Sequence, residues 1–381
     1  MNKIDALIAE MCPDGVQYTS IGSLITRTRE RGKDKKDIQQ VYAVSNTLGM
    51  VRVEEFRENT IHSEDTSNYT VIRPNMYAYN PSRLNIGSIA MLKNNISGLV
   101  SPMYVVFSID ERKIMKEYFE YNIRSSFVRN KIETFKEEGA RFRFDFNRWE
   151  WIRIPLPPLP IQQEIVRVLD NFTELTAELT AELTARKKQY EYYRSRLLTF
   201  EDDVPRVKLV DVADISRGVR VVKKQLIPDG TYPVYQNSLA PMGYYNKYNC
   251  DANTTYVISA GAAGEIGFCD KNFWAADDCL VFSNPNGVIN KYIYYFLTTK
   301  QNFIRSNVRK ASIPRLSRTV IENLQIPLLS LEEQERIVTI LDRFDTLTND
   351  LTSGIPAEIE ARRKQYEYYR DKLLAFKEAR A

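Results

Sequence analysis

The sequence predicts an α+β fold with an internal pseudo-twofold duplication, in which two α/β lobes are separated by two long antiparallel, coiled-coil-like helices. A basic and aromatic segment occurs twice, as RKKQYEYYRSRLLTF from Arg186 and as RRKQYEYYRDKLLAF from Arg362. Each copy closes a long stretch with apolar residues at helical spacing. Short β-branched and aromatic runs, bounded by Gly, Asn, Pro and Asp, precede each stretch and predict strands.

The repeat sets the order of the predicted segments. Upstream of the basic segments the chain reads IPLPPLPIQQEIVRVLD from Ile154 and IPLLSLEEQERIVTILD from Ile326, whereas the beginnings of the two halves match in pattern only. A chain of 381 residues is also longer than one core usually spans. We therefore expect a first lobe at 1–153, a central helical spacer at 154–203, a second lobe at 204–325 and a C-terminal helical spacer at 326–381.

Each predicted helix carries a narrow apolar stripe whose members recur at threes and fours. A stripe this long and narrow usually packs against another helix. The members are Phe172, Leu175, Leu179, Leu183, Tyr190 and Tyr193 in the first helix and Phe344, Leu347, Leu351, Tyr366 and Tyr369 in the second. We expect the two helices to form one seam, with the tyrosine hydroxyls at its wet edge. The alternative is that part of this face receives another protein.

The second helix contains two residues that interrupt helices, Gly354 and Pro356. Because proline suits the first turn of a helix and not its interior, we expect the helix to break and restart near Pro356. The first helix has no such interruption and is expected to be continuous.

The middle of the first helix is a tetrapeptide repeat, TELTAELTAELTA, and the second copy is four residues longer there. Four helical residues add about 6 Å and a net turn of about 40°. One base-pair step of DNA turns about 34°. A helix that changes length by fours would therefore suit a spacer between two DNA-reading modules, although such repeats also simply make good helices.

Positive charge is concentrated in the two lobes. Residues 16–153 contain 22 Lys and Arg against 17 Asp and Glu, and residues 204–325 contain 15 against 9, whereas the other segments are net acidic. Neutralisation of phosphates is the leading physical reason for such a pattern.

The basic residues of the lobes fall in short loops at matching places of the two halves. We predict DNA contacts for Arg27, Arg29, Arg31, Lys33, Arg83, Arg141 and Arg143 in the first lobe and for Arg217, Arg220, Lys223, Lys224, Arg309, Lys310 and Arg315 in the second. Arginine either reads guanine in the major groove or holds phosphate, and the sequence leaves both open.

The motifs of several enzyme classes are missing from the sequence. There is no GxxxxGK[ST] loop, no GxGxxG after a strand, no complete amino-methyltransferase motif and no compact carboxylate set for Mg²⁺. One histidine, His62, and four scattered cysteines argue against His-based catalysis and zinc sites. We expect no catalytic residues, no cofactor and no metal.

The chain lacks the apolar stretch that a membrane span requires, and its N-terminus, MNKIDALIAEMC, lacks the pattern of a signal peptide. We expect a soluble, cytoplasmic protein with no membrane partner. Its total charge of +4 is unremarkable beside the partition between lobes and helices.

The duplicated layout resembles the specificity (S) subunit of type I restriction–modification enzymes. The resemblance rests on the two Ile-Pro-Leu borders, the RKKQYEYYR and RRKQYEYYR helices and the TAEL tetrads. NPSRLNIGSIAMLKNNISGLVSPMYVVF and GAAGEIGFCDKNFWAADDCLVF also look like target recognition domains of that family. The resemblance covers essentially the whole chain.

The resemblance implies a non-catalytic subunit that binds double-stranded DNA. Each lobe would be a target recognition domain that reads one half of a split site. The helices would set the half-site spacing and dock two methyltransferase (M) subunits, and nuclease–translocase (R) subunits would join the assembly. Two alternatives remain open from the residues alone. One is a stand-alone methyltransferase or nuclease, and the other is a coiled-coil adaptor whose basic lobes bind acidic proteins.

Overall fold

The computed structural model describes residues 3–34, 37–46, 48–56, 65–135, 142–201, 204–350 and 352–379. The chain forms two compact units: Met1–Glu178 with Glu360–Ala381, and Leu179–Ile359. Each unit therefore holds one lobe, part of the first conserved helix and part of the second.

The first lobe is built from short strands and helices. They are α1 (Lys3–Met11), β1 (Tyr18–Ser20), β2 (Ile25–Thr28), β3 (Val41–Ser45), β4 (Gly49–Arg52), α2 (Val53–Phe56), β5 (Thr70–Ile72), β6 (Tyr77–Tyr79), β7 (Ile89–Met91), β8 (Gly98–Val100), β9 (Val105–Ile109), α3 (Lys116–Arg124), α4 (Ser126–Glu133) and β10 (Arg153–Pro155). Short 3-10 helices lie at Ile21–Leu24, Gly32–Asp34, Leu84–Ile86 and Phe146–Trp151. The long helix α5 (Leu159–Leu197) follows.

The strands of the first lobe form two four-stranded sheets and one two-stranded pair. One sheet has the order β2-β9-β6-β7 and is antiparallel; the other has the order β4-β3-β8-β5, with β3 and β8 parallel. The pair joins β1 to β10, with Thr19 opposite Ile154. Aromatic rings dominate the core between sheet and helices: the Tyr77 and Phe107 rings stack at 5.3 Å.

The second lobe repeats this plan with fewer strands. Its elements are β11 (Arg206–Lys208), α6 (Leu209–Val212), β12 (Asp214–Arg217), β13 (Tyr232–Tyr235), β14 (Gly243–Tyr245), β15 (Thr254–Ile258), β16 (Ile266–Cys269), β17 (Trp274–Ala275), β18 (Cys279–Ser283), α7 (Asn290–Thr299), α8 (Gln301–Ser306), α9 (Arg318–Glu322) and β19 (Gln325–Pro327), with a 3-10 helix at Lys223–Gln225. The sheets have the orders β12-β18-β15-β16 and β14-β13-β17, and β11 pairs with β19. The helices α10 (Leu331–Asn349) and α11 (Ile355–Leu373) complete the chain.

A buried glutamine occupies the same place in both units. The side-chain oxygen of Gln162 accepts the Met115 N–H at 2.9 Å, and its nitrogen donates to the Lys113 and Pro157 carbonyls. Gln334 makes the same three bonds, to the Ile289 N–H at 2.8 Å and to the carbonyls of Gly287 and Leu329. The duplication predicted from the sequence thus extends to individual hydrogen bonds.

The end of the chain lies beside the start of the first repeat. The Val16 N–H donates to the Lys377 carbonyl at 2.9 Å, and the Ala379 N–H donates back to the Val16 carbonyl at 3.0 Å. Gly15, with φ of +115°, turns the chain here, and a Cβ at this glycine would lie 2.7 Å from the Lys377 carbonyl oxygen. Residues 377–379 therefore pack against the start of the first repeat within the first unit.

The break predicted in the second conserved helix is confirmed. The helix α10 ends at Asn349, and α11 begins at Ile355 with Pro356 in its first turn. A Cβ at Gly354 would lie 2.4 Å from the Thr346 carbonyl oxygen, so the turn needs a residue without a side chain. By contrast, α5 runs for 39 residues without interruption.

Ring contacts within each unit join the two apolar stripes. In the first unit Phe172 stacks on Tyr369, with ring centroids 5.5 Å apart. In the second unit Phe344 stacks on Tyr193, also at 5.5 Å, and on Tyr190 at 6.2 Å. The contacts run in opposite order along the two helical segments, as the predicted antiparallel pairing requires.

The other stripe residues divide into three groups. Leu175, Leu179, Leu183 and Tyr366 are half-buried, as expected of a seam. Leu347 is 37% exposed, which corrects the expectation for this position, because Thr348 takes the buried place and its hydroxyl donates to the Phe344 carbonyl at 2.8 Å. Leu351 lies outside the described residues.

Candidate nucleic-acid interface

Three of the predicted arginines line one cleft of the first lobe. This cleft, the first-lobe cleft, has a volume of about 560 Å³ and is lined by Arg27, Arg83 and Arg143. Arg27 is exposed on the edge strand β2, with its guanidinium 5.9 Å from the centre of the Phe146 ring. The three arginines are far apart in sequence. They line one cleft only because the fold brings the strand of Arg27 and the loops of Arg83 and Arg143 together.

Local hydrogen bonds fix the loops that carry two of these arginines. The Asn80 side chain accepts the Ser82 N–H at 2.9 Å and shapes the turn that presents Arg83. The Phe144 N–H donates to the Pro81 carbonyl at 2.9 Å, and Phe144 itself is fully buried. Arg143, directly before this anchor, is exposed and lies 3.2 Å from the Asp145 carboxylate.

In the second lobe a loop, the second-lobe arginine loop (309–315), gathers three predicted residues. Arg309 and Arg315 pair through their backbones, at 2.8 and 3.2 Å, so the loop closes on itself and holds Lys310 beside them. All three side chains are exposed. The Leu316 N–H donates to the Ser259 carbonyl at 2.8 Å, which fastens the loop to the sheet.

Arg143 and Arg315 occupy equivalent positions in the two lobes. Each directly precedes a buried apolar residue, Phe144 or Leu316, whose N–H donates to a carbonyl just after a sheet strand, β6 or β15. Arg315 follows Arg143 by 172 positions, and Gln334 follows Gln162 by the same interval. The two lobes thus present an arginine from the same framework position.

The other predicted residues of the second lobe lie elsewhere. Arg217 lines a second cleft, of about 510 Å³, together with Asn249, Asp251 and Asn284. Arg220, Lys223 and Lys224 are exposed on the loop and 3-10 helix that follow β12. They do not line this cleft, so the structure does not gather all seven predicted residues of the second lobe at one place.

Comparison with known proteins identifies the family. A family model described as the type I restriction modification DNA specificity domain matches residues 13–186 and 201–361. The chain belongs to this family. The resemblance seen in the sequence is therefore confirmed, and the chain is a specificity subunit rather than a catalytic enzyme or a coiled-coil adaptor.

Named relatives support the same conclusion. The specificity subunit of the type I restriction enzyme EcoR124I/EcoR124II of Escherichia coli is 33% identical over 309 residues, which cover 72% of this chain and 74% of that protein. The putative specificity subunit S.HindORF215P of Haemophilus influenzae is 38% identical over 252 residues, which cover 59% of this chain and 64% of that protein.

Solved structures share the fold of this specificity subunit. The S subunit of a type I restriction–modification system from M. genitalium aligns over 94% of this chain and 96% of its own, with a TM-score of 0.58 and 16% identity. A chain from a study of complex assembly and conformational transition of the type I R-M system aligns over 95% and 98%, with a TM-score of 0.64 and 18% identity. The two-lobed fold class predicted from the sequence is confirmed.

Some predicted contacts of the specificity subunit are used inside the first lobe or lie outside the described residues. Arg31 is partly buried, and its guanidinium donates to the Asn68 carbonyl at 2.8 Å and to the Thr70 hydroxyl at 3.3 Å. It fastens the loop before β5, so we leave it out of the interface. Arg29 and Lys33 are exposed but do not line the first-lobe cleft, and Arg141 is not among the described residues.

Polar residues that the sequence reasoning missed complete the first-lobe cleft. Asn46, Asn80 and Ser82 line it beside the arginines. Asparagine amides can hydrogen-bond adenine in the major groove, as well as holding a loop. The signal for them was NPSR at Asn80, a turn sequence between two strands, but only the folded sheet shows that the turn borders a cleft.

The cysteines of the specificity subunit are mostly buried. Cys250, Cys269 and Cys279 are buried and unpaired, and Cys12 is half-buried. Burial raises the pKa of Cys250 to about 11 and that of Cys279 to about 12, so both stay protonated at neutral pH.

Across the described parts of the chain no group of three His, Cys, Asp or Glu side chains could hold a metal. Among the described helices, none has the length and apolarity that crossing a bilayer would require.

Proposed function

We propose that this specificity subunit reads a bipartite site on double-stranded DNA, with one half-site contacted by each lobe. The observation that carries the proposal is the pair of equivalent arginines, Arg143 and Arg315, held on matching anchors in two lobes that otherwise differ. An equivalent framework with different side chains around it suits two different half-sites.

The physical basis is the pairing of arginine with guanine and phosphate. A guanidinium can donate two hydrogen bonds to one guanine edge in the major groove, and such a pair discriminates against other bases by about 1–3 kcal/mol. Arginines that reach only phosphate fix the register of the protein without reading sequence. The first-lobe cleft, with arginines and asparagines together, offers donors and acceptors for base edges.

The helices are proposed to set the half-site spacing and to dock two methyltransferase subunits, which nuclease–translocase subunits then join. Support comes from a matched pair of exposed tyrosines, Tyr192 on α5 and Tyr368 on α11, which are 56% and 62% exposed. Each lies in the repeated QYEYYR sequence beside a stripe tyrosine, 5.4 Å from Tyr193 or 5.3 Å from Tyr369. Two like aromatic surfaces in one chain fit two like partners.

Selection from randomised duplex DNA tests the proposal. The chain, with its methyltransferase subunits, is mixed with a duplex pool, and the bound fraction is sequenced. We expect two short conserved blocks separated by an unread spacer of fixed length. One continuous block, or no enrichment at all, would reject the bipartite reading. Methyl transfer by the chain alone would instead show that it carries chemistry of its own.

A further inference from the structure

A second arginine-rich cleft lies in the first unit, away from the residues predicted to contact DNA. This helix-side cleft has a volume of about 470 Å³. Arg124 and Arg129 line it from α3 and α4, and Arg363 and Arg370 line it from α11. Glu367 is the one carboxylate among its described lining residues. Four guanidinium groups against one carboxylate favour an anionic ligand.

The four arginines differ in how far they are already engaged. Arg370 is buried, lies 2.9 Å from the Asp371 carboxylate and packs over the Tyr366 ring, so it forms part of the wall. Arg124 pairs with Glu120 at 2.8 Å, and Arg363 pairs with Glu360 at 3.2 Å. A guanidinium group carries five N–H donors, so an ion pair with one carboxylate leaves other N–H groups free to bind a ligand.

Arg129 is the most available of the four. It is exposed on α4, and no carboxylate in the described part of the chain pairs with it. Its helix is fixed at the N-terminus, where the Ser125 hydroxyl accepts the Val128 N–H at 3.2 Å. Arg129 is therefore an available cation on a well-anchored helix, and it lines the same cleft as Arg363.

The helix-side cleft adjoins the first-lobe cleft. Asn46 lines both. The segment from Asn80 to Gly87 also borders both, since Arg83 faces the first-lobe cleft while Leu84, Ile86 and Gly87 line the helix-side cleft. Arginines therefore line two adjoining clefts of the first unit, Arg83 and Arg143 in one and Arg129 and Arg363 in the other.

We propose that the helix-side cleft holds the phosphate backbone of duplex DNA that continues past the half-site read by the first lobe. This inference rests on the proposed function and adds to it a sequence-independent contact that includes the conserved helix α11. The ligand is a run of phosphodiesters, because the cleft supplies cations directly beside the first-lobe cleft, where the half-site is proposed to bind. An acidic segment of a partner protein is the rival occupant.

The cleft belongs to the first unit and lacks a basic counterpart at one matching position. In α3 and α7, Tyr118 and Tyr292 make equivalent bonds to the Pro155 and Pro327 carbonyls, at 3.1 and 3.2 Å. With that register, Arg124 matches Thr298 in the second unit.

Two charge-removing double variants of the full chain test the proposal. The first is Arg129→Gln with Arg363→Gln. The second, the control, is Lys131→Gln with Lys364→Gln, which removes the same charge from exposed positions of the same two helices outside the cleft. Binding of a labelled duplex that carries the selected site and long flanks is measured by fluorescence anisotropy over a range of salt concentrations.

The arginine variant should bind about tenfold more weakly at low salt and should lower the slope of log affinity against log salt by about 2, because each neutralised phosphate contributes about 0.9. Its preference for the selected sequence over a scrambled one should be unchanged, since phosphate contacts carry no sequence information. The lysine control should match the wild type.

Other results would overturn the inference. Affinity and salt slope equal to those of the lysine control would do so. Loss of methyltransferase-subunit binding with duplex affinity intact would show that the cleft receives a protein. A wild-type chain with no preference among duplexes would overturn the proposed function itself. If the double variant unfolds at a lower temperature than the wild type, Arg129→Gln alone, at an exposed position, makes the same comparison.

Discussion

At the scale of single residues, the two halves share a buried, hydrogen-bonded glutamine that sequence patterns identify only in part. The Gln162–Gln334 match is visible in the aligned borders, but a glutamine just inside a helix usually faces water. Only the folded core shows that both side chains are buried, each with two bonds to the loop before a neighbouring helix and one to the segment before its own helix. Arg31 shows the reverse case, because a basic loop residue predicted to contact DNA is used to hold its own lobe.

Replacing the buried glutamine should destabilise the first unit. In Gln162→Leu the Met115 N–H and the Lys113 and Pro157 carbonyls lose their partner, and the Pro157 carbonyl does so in a buried position. We expect a loss of about 2–3 kcal/mol in the free energy of unfolding, measured by urea titration. Gln163→Leu, at the exposed neighbouring position, is the control and should change stability little. Equal losses in the two variants would contradict a role for the buried bonds.

A buried carboxylate near the start of α5 should make the stability of the first unit depend on acid. Arg167, at 2.6 Å, and then Lys3, at 2.8 Å, lower the pKa of Glu164 from 4.5 to about 2. Because the folded pKa is depressed, the stabilisation is present above pH 4.5 and is lost as the pH falls toward 2. Wild type should therefore exceed Glu164→Gln in stability at pH 7, and the gap should narrow below pH 4.5.

Urea unfolding at about pH 7, pH 4 and pH 3 would measure this gap, because these conditions lie on both sides of the unfolded pKa. Glu174→Gln, on an exposed position of the same helix, is the matched control. A gap that stays constant over this range would show that the pairing with Arg167 and Lys3 does not depress the pKa of Glu164.

At the scale of elements, the conserved helices were the most predictable part of the molecule. A 3.6-residue period sustained over α5 predicted the helix, and Gly354 with Pro356 predicted the break between α10 and α11. The stripe failed at Leu347, because position 348 faces inward near the end of α10. The short strands were predicted only as β-rich regions, since runs of two to five residues do not specify their partners.

Shortening α5 by one tetrad should change the distance between half-sites. Deletion of residues 180–183 (TAEL) removes about 6 Å of helix and a net turn of about 40°. We expect the selected spacer to shorten by about one base pair, because one base-pair step turns about 34°. The double substitution Thr180→Ala with Glu182→Ala keeps the length of the helix and should keep the spacer. An unchanged spacer in the deletion variant would reject the helix as its determinant.

At the scale of the whole molecule, the duplication, the partition of charge and the family resemblance are sufficient to predict a two-lobed DNA-specificity subunit. The positions of the interface residues could not be predicted in the same way. Arg27, Arg83 and Arg143 converge through the pairing of β2, β9 and β6, which is set by long-range packing rather than by local sequence. The equivalence of Arg143 and Arg315 likewise became visible only through the backbone bonds that fasten the two loops.

We propose that two unlike lobes on one duplicated framework each read their own half of a DNA site. The most direct test repeats the selection from randomised duplex with Arg143→Ala and, separately, with Arg315→Ala. We predict that each substitution relaxes the preference at a position of one half-site by about 1–3 kcal/mol and leaves the other half-site unchanged, with the two variants affecting opposite halves. Loss of preference in the same half-site for both variants, or in neither, would contradict the account.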